Sequence, residues 1–216
     1  MDIPKISAEL AEETGLHIGD GTMNFYKNGN KIKGSYALRG HIQDDKEHYQ
    51  KRIQKLYQEI YGFLPSLRDM PSTGCHGFQK WSSELVTFKH KILGLPLGPK
   101  LDIKIPENFT KKFSIEVIKG IFDTDGNLYL EPKNNKLYPR IDISSISKPL
   151  ALQIDKLSRA LNLRSTVYTE VKKDKNWNNV HRVNLRGDIM VNKWFKLINP
   201  ENPKHWEKYQ VYINSS

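Results

Sequence analysis

One short pattern occurs twice in this chain of 216 residues, and the repeat limits the folds that the chain can adopt. The segment "TGLHIGDG" at 14–21 returns as "KGIFDTDG" at 119–126, with a glycine, an aspartate and a second glycine at the same spacing. A single copy of this pattern is common by chance. The two copies are informative only if the segments that follow them also correspond.

The same series of predicted elements follows each copy. Alternation of apolar and polar residues predicts strands at 33–42 and 138–145, because successive side chains of a strand point to opposite faces. Apolar residues at i, i+3 and i+7 then predict an amphipathic helix in each copy. The remaining predicted strands and closing helices lie at 75–81, 82–94, 166–171, 180–186 and 189–198.

This order, αββαββα and then the same again, predicts an α+β fold with two pseudo-symmetric halves. Each half has an antiparallel sheet covered by helices on one face, and the motif helices pack at the centre. Residues 1–95 form the first predicted half and residues 111–216 the second. The segment 96–110, which is rich in proline and glycine, is the predicted linker.

The charge of the chain predicts a polyanionic partner. There are 34 basic and 24 acidic residues, a formal net charge of +10, which favours nucleic acid over a membrane surface. Cys75 is the only cysteine, so the sequence excludes a disulfide within the chain. The first residues are too polar for a signal peptide, and no apolar stretch approaches the length of a membrane span. We therefore expect a protein that is not secreted and that lies in the cytoplasm of a prokaryote or in an organelle.

Basic side chains recur on the strand faces that the predicted helices leave uncovered. Such residues can simply be solvated, but several basic strands in two related halves favour a surface for nucleic acid, since a two-stranded ribbon fits the major groove. We call this predicted nucleic-acid surface the saddle. Its members are Lys33, Ser35, Arg39, His41, Arg140, Asp142, Ser144, Arg182 and Asn184.

The repeated aspartates require an explanation other than a turn. Asp123, Asp125 and Asn127 fit the start of a calcium loop, but Leu128 and Asn134 occupy positions where that loop needs glycine and glutamate. A helix C-terminus is already electronegative, so an aspartate there suggests a bound cation. If small residues let the two motif helices pack closely, Asp20 and Asp125 converge and predict a site for hard divalent cations.

At these residues the sequence resembles the LAGLIDADG homing endonucleases in their single-chain form with two motifs. "IKGIFDTDG" at 118–126 matches the family motif, and "ETGLHIGDG" at 13–21 matches it more loosely, departing at His17 and Ile18. The resemblance covers nearly the whole chain. It implies a site-specific double-strand DNA endonuclease, monomeric, with a long recognition site, bound Mg²⁺ or Mn²⁺, and products with 3′ overhangs.

The resemblance also implies roles for individual residues. Asp20 and Asp125 would bind the metal, whereas Asp123 would make local hydrogen bonds near the helix end. Basic or amide residues near the metal would orient water and offset the charge on the phosphate; by their position at strand ends, Gln43, Lys80 and Arg186 are the candidates. Two alternatives remain: a non-cleaving relative, such as an intron maturase or a regulator, and a glycosidase that uses the paired carboxylates.

Overall fold

The computed structural model describes residues 3–133, 136–174 and 176–215. Asn134, which enters the comparison with calcium loops, lies outside these residues. Within the described part of the chain, no helix is long and apolar enough to cross a membrane.

The first half begins with the motif helix and continues into a four-stranded sheet. Helix α1 (Ala8–Asp20) leads directly into strands β1 (Gly21–Asn28) and β2 (Lys31–His41). Helices α2 (Lys46–His48) and α3 (Gln54–Tyr61) follow, joined by the π-helical stretch Tyr49–Ile53. Strands β3 (Arg68–Met70) and β4 (Cys75–Trp81) precede helix α4 (Ser83–Thr87), which continues as the π-helical stretch Phe88–Ile92.

The second half repeats this order. After a short helix α5 (Glu107–Lys112), the motif helix α6 (Ser114–Asp125) leads into strands β5 (Gly126–Lys133) and β6 (Lys136–Ser145). Helix α7 (Lys148–Ala160) precedes strands β7 (Thr166–Glu170) and β8 (Val180–Arg186). Helices α8 (Asp188–Ile198) and α9 (Pro203–Asn214) follow.

Both sheets are antiparallel and have the same topology. The strand orders are β1-β2-β4-β3 and β5-β6-β8-β7. The registers also correspond, because Gly21 pairs with Leu38 in the first sheet and Gly126 with Ile143 in the second. The predicted α+β fold with two related halves is confirmed.

Three elements were not predicted. Strand β3 is only three residues long and carries no alternation to detect. Helix α5 occupies the end of the predicted linker, where Phe109 is fully buried. Helix α9 has the start signals of a helix, since the Asn202 side chain accepts a hydrogen bond from the N–H of Lys204 and Pro203 stands at its first position.

The two motif helices touch through their main chains. A Cβ atom built on Gly15 would lie 2.9 Å from the Cα of Gly120, and one built on Gly120 would lie 2.7 Å from the backbone nitrogen of Leu16. Both distances are too short for a side chain, so each position requires glycine. The close approach of α1 and α6 expected from the small residues is present.

The cores of the two halves differ in polarity. In the first half Glu13 is fully buried, and both of its carboxylate oxygens accept hydrogen bonds from the buried Lys89 ammonium at 2.6 Å. The hydroxyls of Tyr57 and Tyr61 also donate to this carboxylate. Every oxygen of the buried charge is thereby satisfied, as burial of an ion pair demands.

We expect Gly15→Ala to destabilise the protein by about 1–3 kcal/mol, because the added methyl group meets backbone atoms of α6 that cannot move aside. Denaturant unfolding of the purified variant measures the change. Gly62→Asn is the matched control, since a Cβ there meets nothing within 4 Å and Asn tolerates the left-handed conformation at φ +71°. Equal stability of the two variants would contradict the close helix contact.

Candidate metal centre and nucleic-acid interface

Asp20 and Asp125 are brought together by the same helix contact. Each aspartate is the last residue of its motif helix. A Cβ atom built on Gly19 would lie 2.6 Å from the Cβ of Thr124 and 3.4 Å from the Cγ of Asp125. The C-terminal ends of α1 and α6 are therefore in contact. We call Asp20 and Asp125 the carboxylate pair.

The carboxylate pair is electrostatically unfavourable as it stands. Neither side chain accepts a hydrogen bond from any residue that the structure describes. Burial, and after it the charges of Asp125 and Asp45, raises the pKa of Asp20 to about 8. Asp125 is open to solvent, yet the protein packed around it raises the pKa of Asp125 to about 6. A bound cation would relieve both effects.

The donor set fits Mg²⁺ or Mn²⁺ better than a metal with a complete protein shell. Among residues 3–133, 136–174 and 176–215, no three His, Cys, Asp or Glu side chains are grouped so as to hold a metal ion. Mg²⁺ in proteins is usually bound by one or two carboxylates, and water and substrate phosphate complete its octahedron. The carboxylate pair supplies two unsatisfied carboxylates, which is the protein part of such a site.

Lys100 places an ammonium group beside the carboxylate pair. Its Nζ donates to the last carbonyls of α1, at 2.8 Å from the Ile18 oxygen and also to Gly19. These carbonyls have no partner within the helix, so Lys100 satisfies them. Burial lowers the pKa of Lys100, and the charges of Asp125 and Asp20 oppose that shift.

Lys204, at the start of α9, is held from the other half of the molecule. Its Nζ donates to Oδ1 of the buried Asp45 at 2.7 Å. Oδ2 of Asp45 accepts the backbone N–H of His41 at 2.6 Å, so this carboxylate has a fixed orientation. The positive charge of Lys204 opposes the rise in the pKa of Asp20 and of Asp125. Lys204 therefore lies within electrostatic reach of both members of the pair.

Neither lysine was recognised in the sequence, although a signal was present. The segment "LGLPLGPK" at 93–100 is followed 104 residues later by "LINPENPK" at 197–204, with both prolines and the lysine in register. The motif repeat is thus accompanied by a second repeat at nearly the same offset. Both lysines lie after helices that close the predicted pattern, where no further elements were expected.

Asp123 has a structural role, but its hydrogen bonds are not local. The fully buried carboxylate accepts the backbone N–H groups of Glu201 and Asn202 at 3.0 and 3.1 Å. The side-chain amide of Asn202 donates to the carbonyl of Asp123 and to Oδ1 of Asp45. Asn202 thereby joins the second motif helix to the first half and fixes the segment that carries Lys204.

A groove leads from the carboxylate pair across the uncovered face of the first sheet. It encloses a cavity of about 690 Å³. Asp125 and Lys100 are among its lining residues, and its walls come from both sheets, including Arg39 and Gln79 of the first and Ser144 of the second. The groove joins the candidate metal centre to the predicted saddle.

We call the uncovered face of each sheet its outer face. Strand register assigns its members, because residues that pair across a ladder share a face. In the first sheet, Lys33, Ser35, Arg39 and His41 are all on the outer face as predicted, and Gln79 donates to the Ser35 hydroxyl at 2.9 Å. Lys33, Arg39 and His41 are exposed, whereas Ser35 is buried.

The outer face of the second sheet contains a preformed polar network. Arg182 donates to Glu170 at 2.9 Å and to Asp142 at 3.2 Å. Asp142 also accepts hydrogen bonds from Ser144 and Asn184, and both Asp142 and Asn184 are buried. These two predicted contact residues therefore lie beneath the surface that Arg182 presents.

Two predicted catalytic residues are placed elsewhere by the structure. Lys80 pairs with the core residue Tyr36, so it lies on the helix-covered face, with its Nζ 4.7 Å from the centre of the Phe63 ring. Arg186 is on the outer face opposite Arg140, which lies three residues along β6 from Ile143, the partner of Gly126. Strands β4 and β8 run away from the carboxylate pair, so the register does not bring Lys80 or Arg186 to it, and their catalytic roles stay predictions. Gln43 is exposed in the turn after β2.

Comparison with known proteins identifies the class to which this geometry belongs. Residues 112–199 match the family model described as a LAGLIDADG-like domain. No curated protein sequence matches the chain significantly. The match lies within the second half of the chain and includes the second motif helix.

Solved structures extend the likeness to both halves. A structure of the homing endonuclease I-DmoI in complex with DNA and Mn is 20% identical, with a TM-score of 0.62, covering 90% of this chain and 97% of that one. The LAGLIDADG homing endonuclease I-GzeII in complex with its DNA target is 10% identical, with a TM-score of 0.57 and coverage of 97% and 89%. This chain has the fold of the single-chain LAGLIDADG homing endonucleases, and the family resemblance seen in the sequence is confirmed.

We expect Asp20→Asn to stabilise the protein when metal is absent. The folded-state pKa of Asp20, about 8, lies above its ordinary value of 3.8. The protonated carboxyl therefore contributes its full stability in acid, and that contribution is lost as the pH rises through about 8. The melting temperature of the variant should exceed that of the wild type by several degrees at pH 9, where about 1 kcal/mol corresponds to about 2–4 °C.

The difference in melting temperature should disappear near pH 4, where the carboxyl of Asp20 in the folded wild type and the amide of the variant are both neutral. Added Mg²⁺ should raise the melting temperature of the wild type at pH 9 and leave the variant unchanged, because a ligand that binds only the folded state stabilises it. A variant less stable than the wild type at pH 9 in EDTA would contradict the raised pKa of Asp20, which burial and then the charge of Asp125 produce.

Proposed function

We propose that the chain is a site-specific DNA endonuclease that hydrolyses one phosphodiester bond in each strand of a duplex. The observation that carries the proposal is the carboxylate pair, which lies at the joined ends of two motif helices at the end of a groove between two outer faces. Paired carboxylates alone would also suit a glycosidase. The basic outer faces and the net charge of +10 favour a polyanionic substrate instead.

Double-stranded DNA is the substrate that the comparisons support. The similar structures include I-DmoI with DNA and Mn, a substituted I-DmoI with its target DNA in the presence of Mg, and I-GzeII with a DNA target. On this proposal, residues 1–95 and 111–216 each contact one half of a long target, connected by 96–110. One chain supplies both halves, so the protein would act as a monomer.

Asp20 and Asp125 would hold Mg²⁺ or Mn²⁺ between the protein and the two scissile phosphates. When bound, such a cation lowers the pKa of a water molecule and stabilises the oxygen that leaves. The chain itself fixes the two carboxylates through the α1–α6 contact. The phosphates of the two strands therefore have to approach one defined point.

Lys100 and Lys204 replace Lys80 and Arg186 as the cations of the site. Both ammonium groups interact electrostatically with the carboxylate pair, and both are held by hydrogen bonds. Their fixed positive charges would stabilise the negative charge that develops on phosphate oxygens as the bond breaks. Gln43, in the turn at the same end of the first sheet as Gly21, would orient water.

The remaining features of the proposal follow the family resemblance. Products would carry short 3′ overhangs, and the biological role would be the homing of an intron in a prokaryote or an organelle. The alternative is a relative that binds nucleic acid without cutting it, such as a maturase or a regulator. The presence of both motif aspartates, with two lysines beside them, favours the nuclease.

The decisive test is cleavage of a plasmid library that carries randomised inserts. With Mg²⁺ or Mn²⁺ the wild type should linearise a small fraction of plasmids that share one sequence, and EDTA should prevent it. Specific binding in Ca²⁺ with no cutting under any metal condition would favour the non-cleaving alternative. If the protein neither binds nor cuts any of the plasmids, the proposal is refuted.

Substitutions of the two aspartates of "FDTDG" should have different effects in this assay. We expect Asp125→Asn to slow cleavage by at least about 100-fold while DNA binding in Ca²⁺ and stability remain, because only the charged site is changed. Asp123→Asn should instead lower stability by about 1–3 kcal/mol, because the amide NH₂ that replaces one carboxylate oxygen cannot accept the backbone N–H that now bonds to it.

Asp44→Asn is the control for charge, since Asp44 neighbours Asp45 but its side chain is 63% exposed and, among the described residues, forms an ion pair only with His41. It should cut at the rate of the wild type. Lys100→Met should cut about 10–100-fold more slowly without loss of binding. If Asp123→Asn stays stable but cannot cut, whereas Asp125→Asn cuts normally, the carboxylate pair has been misassigned.

DNA affinity should fall steeply with salt, because lysines and arginines on the outer faces displace counterions from phosphates. With about six to ten phosphate contacts, the affinity should drop by about 10³–10⁵ between 50 and 200 mM salt. Fluorescence anisotropy with a labelled duplex in Ca²⁺ measures it. An affinity independent of salt would remove the outer faces as the DNA surface.

A further inference from the structure

The two halves bring different side chains to equivalent points on their outer faces. Ser35 lies three residues from Leu38, the partner of Gly21, and Arg140 lies three residues from Ile143, the partner of Gly126. In the next strand Ser35 pairs with Trp81, whereas Arg140 pairs with Arg186. An aromatic side chain in the first half thus corresponds to an arginine in the second.

The pairs Ser35–Trp81 and Arg140–Arg186 lie at the same distance along their strands from the carboxylate pair. Three residues of strand span about 10 Å, and the five residues from Gly21 to Tyr26 span about 17 Å. Base pairs of a duplex follow one another at about 3.4 Å along the axis. The side chains would therefore face base pairs about three to five steps from the centre of a bound target.

The first half presents an apolar corner at this distance. Tyr26 and Trp81 are 52% and 57% exposed, and their rings meet edge to face with centroids 6.0 Å apart. Together with Lys33, Gly34 and the start of α4 they enclose a cavity of about 510 Å³. Two large aromatic rings exposed side by side on a soluble protein indicate a contact surface.

The second half presents two arginines with free hydrogen-bond donors. Within the described residues, Arg140 and Arg186 pair with no carboxylate, although they face each other across the β6–β8 ladder. The guanidinium of Arg140 lies 4.8 Å from the centre of the Tyr129 ring. Arg182, by contrast, is already engaged by Glu170 and Asp142. Each of these two unpaired guanidinium groups can donate two hydrogen bonds, which match the paired acceptors O6 and N7 of guanine.

We propose that Tyr26 and Trp81 recognise the 5-methyl group of thymine at this distance in one half of the target, while Arg140 and Arg186 recognise guanine at the equivalent position in the other. Thymine is the base that offers an apolar group in the major groove. Lys33, beside the aromatic pair, is placed to contact a phosphate. The inference deepens the proposed function and rests on it.

Selection from randomised duplexes bound in Ca²⁺ tests the assignment. The wild type should enrich one sequence with thymine about three to five base pairs from the centre on one side and guanine on the other. Trp81→Arg should change the preference on the thymine side to guanine and leave the other side unchanged. Ile189→Arg is the matched control, because it adds the same charge at a side chain 74% exposed on α8 and should select the wild-type sequence.

Replacement of that thymine by uracil isolates the methyl group. In the selected duplex, uracil at the first-half position should weaken binding of the wild type about three- to tenfold, the effect expected for one buried methyl group. Trp81→Ala should bind the thymine and uracil duplexes equally. Because Trp81 is exposed, melting temperatures close to that of the wild type should verify that these variants are folded.

The outcomes separate this inference from the proposed function. If the wild type selects a defined sequence but Trp81→Arg selects the same one, or if uracil binds as tightly as thymine, the aromatic assignment is wrong and the DNA-binding proposal stands. If the wild type selects no sequence at all, the proposed function fails, and the inference fails with it.

Discussion

The contact between the main chains of α1 and α6 determines where the carboxylate pair of this protein lies. Glycine within a helix costs about 0.5–1 kcal/mol relative to alanine. Gly15, Gly19 and Gly120 are nevertheless found at the contact because no Cβ fits there. The close approach joins the two helix ends, so the carboxylate pair forms where the two motif helices meet. The two sheets that follow the helices are positioned from that point.

The same contact creates an electrostatic problem that the fold only partly solves. Two carboxylates at two helix C-termini repel each other and the helix dipoles. Lys100 satisfies the carbonyls at the end of α1, and Lys204 is held by Asp45. No described donor binds the carboxylates themselves, so the unliganded site remains strained. Local departures from the most stable arrangement are expected where a fold is shaped for a ligand.

Sequence patterns predicted those parts of the structure that local chemistry determines. Both sheets, their outer faces and the motif aspartates follow from alternation and from the repeat. Lys100 and Lys204 were missed because packing, not periodicity, brings their segments back to the centre. Lys80 and Arg186 lie away from the carboxylate pair, which the sequence could not show, because a strand end can lie at either edge of a sheet until the ladder register is known. Asn202 joins Asp45 to Asp123 across long sequence separations, and no local pattern reports such a contact.

The halves differ most where symmetry would be a disadvantage. The core of the first half contains the Glu13–Lys89 ion pair, whereas Phe122 packs against Trp194 in the second. Their outer faces differ as well, with Trp81 where the other has Arg186. At the centre, by contrast, glycine, aspartate and lysine recur in both halves. The two phosphates of a duplex are chemically alike and demand equal treatment, whereas the bases on either side differ. On the proposed function, a symmetric centre suits the two phosphates, and unlike outer faces suit an asymmetric target.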